Sequence, residues 1–136
     1  MTLIVCFDMR RGVTFFGKRQ SADAKVRDRI ARLANGKPIY MTEYSASLFR
    51  NTGADVKAVS DLSLAPQDAA VFAEDAGLSA FCGRVTRFVI YRWNKLYPRD
   101  GTAGFYPFDE GMKLVSMTDF EGSSHSRVTE EIWEAL

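Results

Sequence analysis

A small set of residues combines side-chain types and positions that suit ligand binding or proton transfer. Asp23 lies at the start of a predicted helix, and Tyr44 and Ser45 follow a predicted buried strand. Thr102 lies in a long irregular segment. We predict that these residues bind a ligand. No catalytic residue is assigned, and the best candidate is Asp23. It is either a buried proton donor with a raised pKa or an acid that complements the helix dipole, and the second interpretation is favoured.

Other reactive side chains have simpler interpretations. Ser123, Ser124 and His125 are adjacent, but a serine nucleophile needs a base that a third group holds in place, so we interpret them as turn residues. His125 is the only histidine, and we expect no metal site, because zinc sites need several converging ligands. Gly12 lies between two arginines, which permits an anion-binding nest of backbone N–H groups.

Aromatic side chains allow two further kinds of binding. Basic and aromatic residues alternate from Arg92 to Arg99, which suits either stacking on single-stranded nucleic acid or the packing of a strand end. Because the net charge is only +1, we favour packing and expect no general nucleic-acid binding. Tyr40, Tyr44 and Trp93 either line a pocket for a flat ligand or pack on a sheet face, and packing is again favoured.

The composition is that of an ordinary globular protein. The chain has 136 residues, of which 46% are hydrophobic and 26% charged, and we expect one domain over residues 1–136. No apolar run approaches the ~20 residues of a membrane span, so no membrane association is expected. The first residues lack the basic stretch and cleavage site of a signal peptide, and we expect a cytoplasmic protein. Cys6 and Cys82 are expected to be buried, reduced thiols in strands.

The hydrophobic pattern predicts alternating strands and helices in the first half of the chain. Strands are predicted at residues 3–7, 38–41 and 56–59, an extended segment at 13–16 and a short helix or turn at 45–49. A longer helix is N-capped by Ser21 and ends at Asn35. Its apolar face consists of Val26, Ile30 and Leu33, at the spacing of one helix face.

The second half predicts one more helix and a terminal hairpin. The helix at 66–76 begins at Pro66 and stops before Gly77. Strands follow at 79–82 and 88–93, and a long irregular stretch at 94–110 has a length that is usually functional. Residues 113–120 and 127–133 form an antiparallel hairpin. The fold class is therefore α/β, with a mostly parallel sheet, flanking helices and a C-terminal antiparallel hairpin.

Segments in this order resemble dihydrofolate reductase. The opening LIVCFD, the segment GKPIYMTEYSASLF and the final GMKLVSMTDFEGSSHSRVTEEIWEAL resemble that family's first strand, its Gly-Lys-Pro strand with the following turn, and its last hairpin. A loop before the hairpin resembles the family's acidic-Gly-Asp-Thr-x-Phe-Pro loop at Asp100, Gly101, Thr102, Phe105 and Pro107. The resemblance covers most of the chain and implies a shortened dihydrofolate-reductase-like fold.

The chain also resembles a narrower group of small uncharacterised bacterial proteins. These share RQS-x-D, a Trp-Asn then Tyr-Pro-x-Asp segment, and Phe-Glu-Gly-Ser-Ser-His, found here at 19–23, 93–100 and 120–125. Members of the group sometimes carry the label ribonuclease Z. A two-zinc hydrolase needs several histidines and carboxylates around its metals. Metal-dependent ribonuclease activity is therefore not expected from a chain with one histidine.

The resemblance implies an NADPH site, but departures from the family pattern make NADPH a doubtful cofactor. The family's Gly-Gly turn and helix, which favour the pyrophosphate, correspond here to Gly83, and too few residues follow it for a helix. Glu43 stands where the family has a basic residue, and its carboxylate repels phosphate. On the folate side, Asp55 and Lys57 lie near the position of the arginine that clamps folate, and neither replaces its planar fork.

We therefore expect a degenerate dihydrofolate-reductase-like domain that binds a small ligand or a partner and lacks NADPH-dependent folate reduction. The alternative is an NADPH-dependent reductase that acts on a pteridine-like heterocycle through a reshaped cofactor site. A third class is a purely structural or interaction protein that uses the 94–110 loop. The sequence names neither a ligand nor a cofactor, and a homo-oligomer is compatible with it.

Overall fold

The computed structural model describes residues 1–75, 77–98, 100–102, 107 and 110–136. Within these residues, seven strands form one sheet and two more form a short hairpin. In chain order the strands are β1 (Thr2–Phe7), β2 (Thr14–Phe15), β3 (Lys18–Arg19), β4 (Ile39–Met41), β5 (Val56–Ala58), β6 (Ala70–Phe72), β7 (Arg87–Arg92), β8 (Lys113–Phe120) and β9 (Val128–Glu134). The helices are α1 (Ala24–Ala34) and α2 (Glu43–Ala46), with 3₁₀ helices at Ser47–Phe49, Leu62–Leu64 and Gly77–Phe81.

The large sheet has the strand order β5-β4-β6-β1-β7-β9-β8. The first five strands in this order are parallel, and β9 pairs antiparallel with both β7 and β8. The prediction of an α/β fold with a mostly parallel sheet and a C-terminal antiparallel hairpin is therefore confirmed. The limits of β8 agree with the predicted strand at 113–120, and β9 is displaced by one residue from the predicted 127–133.

The central strand β1 is apolar along most of its length and contributes side chains to a buried core on each face of the sheet. Leu3 belongs to one core, together with Leu78 from the 3₁₀ helix that follows β6. Ile4 belongs to the opposite core, together with Val26 and Ile30 of α1. Burial of an aliphatic side chain of this size stabilises the fold by about 1.5–3 kcal/mol. Val26 and Ile30 therefore account for much of the attachment of α1 to the sheet.

Helix α1 begins two residues later than its predicted cap implies. Its N-cap is Asp23 rather than Ser21, because the Asp23 backbone is extended and its Oδ1 accepts from the N–H groups of Lys25 and Val26 at 2.9 and 3.0 Å. Asn35 ends the helix in the left-handed conformation with φ 51°, which agrees with the predicted stop. No helix among the described residues has the length and apolar character needed to cross a membrane.

The predicted helix at 66–76 is wrong, because its centre is strand β6. The Ala69 N–H donates to the Pro66 carbonyl at 3.0 Å, so Pro66 begins a tight turn rather than a helix. The residues that follow this turn then pair with β1 on one side and β4 on the other. Pairing with two neighbouring strands provides hydrogen-bond partners for the backbone N–H and C=O groups of this alanine-rich segment. This pairing overrides the helix propensity of the segment.

The predicted strand at 79–82 is also wrong, because these residues lie in and just after the 3₁₀ helix Gly77–Phe81. Leu78 and Phe81 are both buried, and a spacing of three residues places them on one face of such a helix. Cys82 consequently lies exposed in a turn instead of buried in a strand, whereas Cys6 is partly buried in β1.

The predicted irregular stretch at 94–110 is described only in part. Its residues 99, 103–106 and 108–109, including Phe105 of the family-like loop, lie outside the described residues. In the described part, Asp100 Oδ2 accepts from Thr14 Oγ1 at 3.0 Å and from the Gly17 N–H at 2.7 Å. Asp100 thereby attaches this stretch to the short β2–β3 hairpin.

Candidate functional site

A cleft lies at the carboxyl ends of β1 and β6, which are neighbours in the sheet. From β1 the chain continues to α1 on one face, whereas from β6 it continues to the 3₁₀ helix Gly77–Phe81 on the other face. Connections that leave neighbouring strands toward opposite faces open a crevice, and α/β sheets bind their ligands there. Two cavities of about 20 Å³ and about 100 Å³ occupy this cleft.

The smaller space, here named the inner cavity, has room for about one water molecule. Its wall includes the end of β1 at Cys6, the end of β6 at Phe72 and Ala73, and the side chains of Gln20 and Trp93. Trp93 is only 3% exposed. Its Nε1 and the buried Gln20 Oε1 have no hydrogen-bond partner among the described residues. A donor and an acceptor are thus both unpartnered on residues that line one cavity.

Asp8, which follows β1, organises the turn beside this cavity. It is 3% exposed, and its Oδ1 accepts from the N–H groups of Arg10 and Gly12 at 2.8 Å each. A Cβ at Gly12 would lie 2.7 Å from Asp8 Oδ2, so the close approach requires glycine. The predicted nest at Gly12 therefore binds the chain's own carboxylate. Asp8 is not among the predicted site residues, although an acid that ends an apolar run four residues before a glycine was a usable signal.

The orientation of the Gln20 amide follows from its contact with Asp8. Gln20 Nε2 donates to Asp8 Oδ2 at 3.2 Å. Because a carboxylate accepts hydrogen bonds, the NH₂ group must face Asp8 and the amide oxygen must face away from it. A buried polar atom without a partner costs about 1–3 kcal/mol. A polar molecule in the inner cavity, a single water included, would satisfy Gln20 Oε1 if it accepts no bond from the Gln20 NH₂ group and donates to the oxygen.

An ion pair separates the inner cavity from the larger space, here named the outer cavity. Arg19 Nε and Nη2 donate to Glu74 Oε2 and Oε1 at 2.7 and 3.1 Å, and both residues line both cavities. The Arg19 guanidinium also lies 4.3 Å from the centroid of the Tyr44 ring and donates to the Tyr44 carbonyl at 3.1 Å. A bidentate, stacked arginine has few alternative geometries, so the pair forms a well-defined partition.

The predicted ligand-binding residues are only partly brought together. Tyr44 and Ser45 line the outer cavity, and Asp23 lines the inner one. Ser45 is 2% exposed and its N–H donates to the Oγ1 of Thr42, the N-cap of α2, at 3.3 Å. Thr102 is exposed and lines neither cavity. It pairs instead with Gly12 in an isolated antiparallel bridge.

Asp23 is held as a carboxylate by the groups around it. It is 2% exposed, and burial alone would raise its pKa. Its Oδ2, however, accepts from the N–H and the Oγ–H of Ser124 at 2.8 and 2.7 Å. With the N–H groups of α1, these bonds outweigh burial and lower the pKa of Asp23 to about 2. The geometry favours an acid that caps the helix over a proton donor.

His125 joins the hairpin turn to the edge of the cleft. Its Nδ1 lies 2.8 Å from Ser124 Oγ, and its Nε2 lies 2.8 Å from the Tyr97 hydroxyl. The ring stacks on Trp93 with centroids 4.7 Å apart. Because the single hydroxyl proton of Ser124 is donated to Asp23, His125 Nδ1–H donates to Ser124. This direction is opposite to that of a base activating a serine nucleophile. Burial, assisted by Lys95, lowers the pKa of His125, so the ring is neutral at pH 7.

Of the two places that the resemblance assigns to cofactor phosphates, the turn at Gly83 has no helix after it and the start of α2 carries an acid. Gly83, with φ 80°, leads to β7 without an intervening helix, as predicted. The strand that does precede a helical turn is β6, and there the Gly77 N–H donates to Asp75 Oδ1 at 3.1 Å. Glu43 occupies the first turn of α2. Helix N-termini favour anions, so these carboxylates stand where phosphates would bind.

The described residues contain no group of three or more histidine, cysteine, aspartate or glutamate side chains placed to hold a metal ion. Neither a protein-family model nor a curated protein sequence matches this chain.

Proposed function

We propose that the chain is a degenerate dihydrofolate-reductase-like domain that binds a small ligand or a partner in the inner and outer cavities, without NADPH-dependent folate reduction. The order of its elements supports the fold part of the proposal. A buried strand β1 comes first, β4 is followed directly by the helical turn α2, and the antiparallel hairpin β8–β9 comes last. The segments that resemble that family occur in the same order.

The observation that carries the binding proposal is that two residues lining the inner cavity each have a buried polar atom without a partner, Trp93 Nε1 and Gln20 Oε1. Leaving both atoms unsatisfied costs about 2–6 kcal/mol in total, a large part of the stability of an ordinary domain. A bound polar group removes this cost. The position of the cavity at the carboxyl ends of neighbouring parallel strands is where such folds bind ligands.

The size and charge of the cleft argue against a dinucleotide. Pockets for drug-sized ligands have volumes of about 300–1,000 Å³, whereas the two cavities measure about 20 and 100 Å³. The Arg19–Glu74 ion pair divides them. Asp75 and Glu43 place carboxylates at the start of the helical turns that follow β6 and β4, where a pyrophosphate needs N–H groups and cations.

Thermal unfolding with and without nicotinamide cofactors tests the exclusion of NADPH. A ligand at a hundredfold excess over its Kd stabilises a protein by about 2.7 kcal/mol, a shift of several degrees for a domain of this length. We expect no shift with NADPH, NADH or FAD. A saturating shift with NADPH, together with oxidation of NADPH in the presence of a pteridine, would establish the reductase alternative instead.

Nuclear magnetic resonance of the tryptophan indole groups tests the binding proposal. The chain has two tryptophans, so the Trp93 indole signal is identified as the one missing from Trp93→Phe. We expect a set of small polar molecules to include some that shift this signal saturably. Ala73→Val is the matched control, because Ala73 is 1% exposed on the inner cavity and two methyl groups would fill the space. If no molecule shifts the signal in the wild type, the small-ligand proposal is wrong.

A further inference from the structure

We propose that a second cleft, here named the lower cleft, binds a small molecule that carries one carboxylate on an apolar body. Arg87 binds the carboxylate, and the C-terminal part of α1 contacts the apolar body. The lower cleft lies at the amino-terminal ends of the parallel strands, whereas the inner cavity lies at their carboxyl ends. The inference is therefore independent of the proposed function, and either of the two can fail alone.

The lower cleft crosses the starts of four parallel strands. Its lining includes Pro38 just before β4, Ala70 of β6, Thr2 of β1 and Arg87 of β7, and these strands are neighbours in that order. Because neighbouring strands are about 4.8 Å apart, the first and last of these residues lie roughly 14 Å from each other. The volume of about 620 Å³ is within the range of small-molecule sites.

The Arg87 side chain lies on the sheet face that α1 covers. Val89, two residues further along β7, belongs to the core that contains Val26 and Ile30 of α1, and residues two apart in a strand point to the same face. Arg87 is partly exposed and lines the lower cleft. Among the described residues its guanidinium has no hydrogen bond or ion pair, and even its buried Nε has no partner. This cation is therefore free to bind a ligand.

The other charged residues of the lower cleft leave an excess of positive charge. Lys37 and Asp68 also line it and are exposed, and Asp68 interacts electrostatically with the Met1 ammonium group. Two basic residues and one acid give the lining a formal charge of +1, which matches one carboxylate. Glu134 lies opposite Arg87 in the register of β7 and β9, but the two form no ion pair in the described part of the chain.

The helix end determines how the ligand is oriented. Leu33, Ala34 and Asn35, at the end of α1, line the lower cleft together with Lys37. The C-terminal carbonyl groups of a helix disfavour an anion. Arg87 lies on the distant strand β7, and its planar guanidinium matches a carboxylate with two parallel hydrogen bonds. The carboxylate therefore binds at Arg87, and the apolar body packs on Leu33 and Ala34, which are only partly buried.

Titration of the folded protein with octanoate and with octanamide at pH 7, followed by backbone amide chemical shifts, tests the inference. The two probes share an apolar chain and differ in the charge of the head group. We expect octanoate to bind about tenfold more tightly, because one charge-assisted hydrogen bond is worth at least that factor. The largest shifts should occur at Thr2, Ala70 and Arg87.

Two matched variants locate the interaction. In Arg87→Met, which retains an apolar side chain and removes the charge, octanoate affinity should fall to that of octanamide. Arg127→Met removes the same charge from an exposed side chain two residues before Thr129, which pairs with the opposite end of β7. It should leave the affinity for either probe unchanged.

Several results would overturn the inference. Equal affinities for the two probes in the wild type, or no binding of octanoate, would exclude recognition of a carboxylate. An octanoate affinity that Arg87→Met leaves unchanged, or that Arg127→Met lowers equally, would indicate a general attraction of anions. Inorganic phosphate that binds at the same amides as tightly as octanoate would show that the apolar wall is not used. Shifts confined to the carboxyl ends of the strands would favour the proposed function and contradict this inference.

Discussion

Replacement of Asp23 by asparagine tests the role of this carboxylate directly. The pKa of Asp23 is lowered from 3.8 to about 2, and one pKa unit corresponds to about 1.36 kcal/mol. Ionised Asp23 therefore stabilises the folded protein by about 2 kcal/mol at pH 7. In Asp23→Asn, Oδ1 can still cap α1, but an NH₂ group faces the two donors of Ser124. We expect a loss of about 2 kcal/mol in the free energy of unfolding.

The pH dependence distinguishes this explanation from a simple loss of packing. Because the folded-state pKa lies below the unfolded one, the stabilisation is fully present above about pH 5 and is lost as the pH falls toward 2. The difference between wild type and Asp23→Asn should therefore shrink from about 2 kcal/mol at pH 7 to below about 1 kcal/mol at pH 2.5. Urea denaturation at several pH values measures the difference, and the titration of other carboxyl groups cancels between the two proteins.

Ser124→Ala is the matched control, since it removes the hydroxyl donor and retains the N–H donor to Asp23. It should lose about 1 kcal/mol. A difference between wild type and Asp23→Asn that stays constant down to pH 2.5 would refute the lowered pKa. A difference that grows as the pH falls would indicate a raised pKa and restore Asp23 as a proton donor.

Four further substitutions test close contacts by urea denaturation at pH 7. Gly122→Ala should cost at least about 2 kcal/mol, because its Cβ would lie 2.5 Å from a carboxylate oxygen and 2.9 Å from a carbonyl oxygen. Gly77→Ala, whose nearest atom would be 3.4 Å away, should change stability by less than about 0.5 kcal/mol. Tyr91→Phe removes a buried hydroxyl that donates to Glu130 at 2.8 Å, for an expected loss of about 1–2 kcal/mol; an unchanged stability would mean that this bond is not formed. Asp8→Ala removes the acceptor of the Arg10 and Gly12 N–H groups, for an expected loss of about 1–3 kcal/mol; no loss would contradict the nest.

Local sequence patterns predict most strands of the sheet, because most of these strands coincide with short apolar runs. The run at 3–7 is apolar on both faces and corresponds to the central strand β1, and the hairpin is defined by two runs around a polar turn. Helix α1 follows from one apolar face and a stop at Asn35. In each case the signal and the structure lie within the same few residues.

The errors arise where distant pairing decides the conformation. The segment around β6 has alanines and a preceding proline that suit a helix, but β1 and β4, which are far away in sequence, supply its partners. The segment after it was assigned to a strand, yet the three-residue spacing of Leu78 and Phe81 fits one face of a 3₁₀ helix. Propensity is a weak prior that such tertiary contacts override.

The residues of the candidate site were likewise predicted only in part. Asp23, Tyr44 and Ser45 were predicted from the element ends on which they lie, and they line the cleft. Thr102 was predicted from its place in the long irregular segment and in the family-like loop, and it pairs with Gly12 instead. Gln20 and Trp93 were not predicted as a pair, because these two residues, which are far apart in sequence, line one cavity only after β7 and α1 have packed together.

The turn after β1 has a consequence for selectivity. Asp8 is tethered to the loop whose N–H groups it occupies, and a group joined by so short a linker has an effective concentration of roughly millimolar or more. A phosphate ion from solution would have to displace the Asp8 carboxylate from these N–H groups. The displaced carboxylate would then be buried without its hydrogen bonds. The loop therefore disfavours the binding of free anions because the Asp8 carboxylate competes with them, and not because of its shape. Neutral molecules do not compete with Asp8 for these N–H groups.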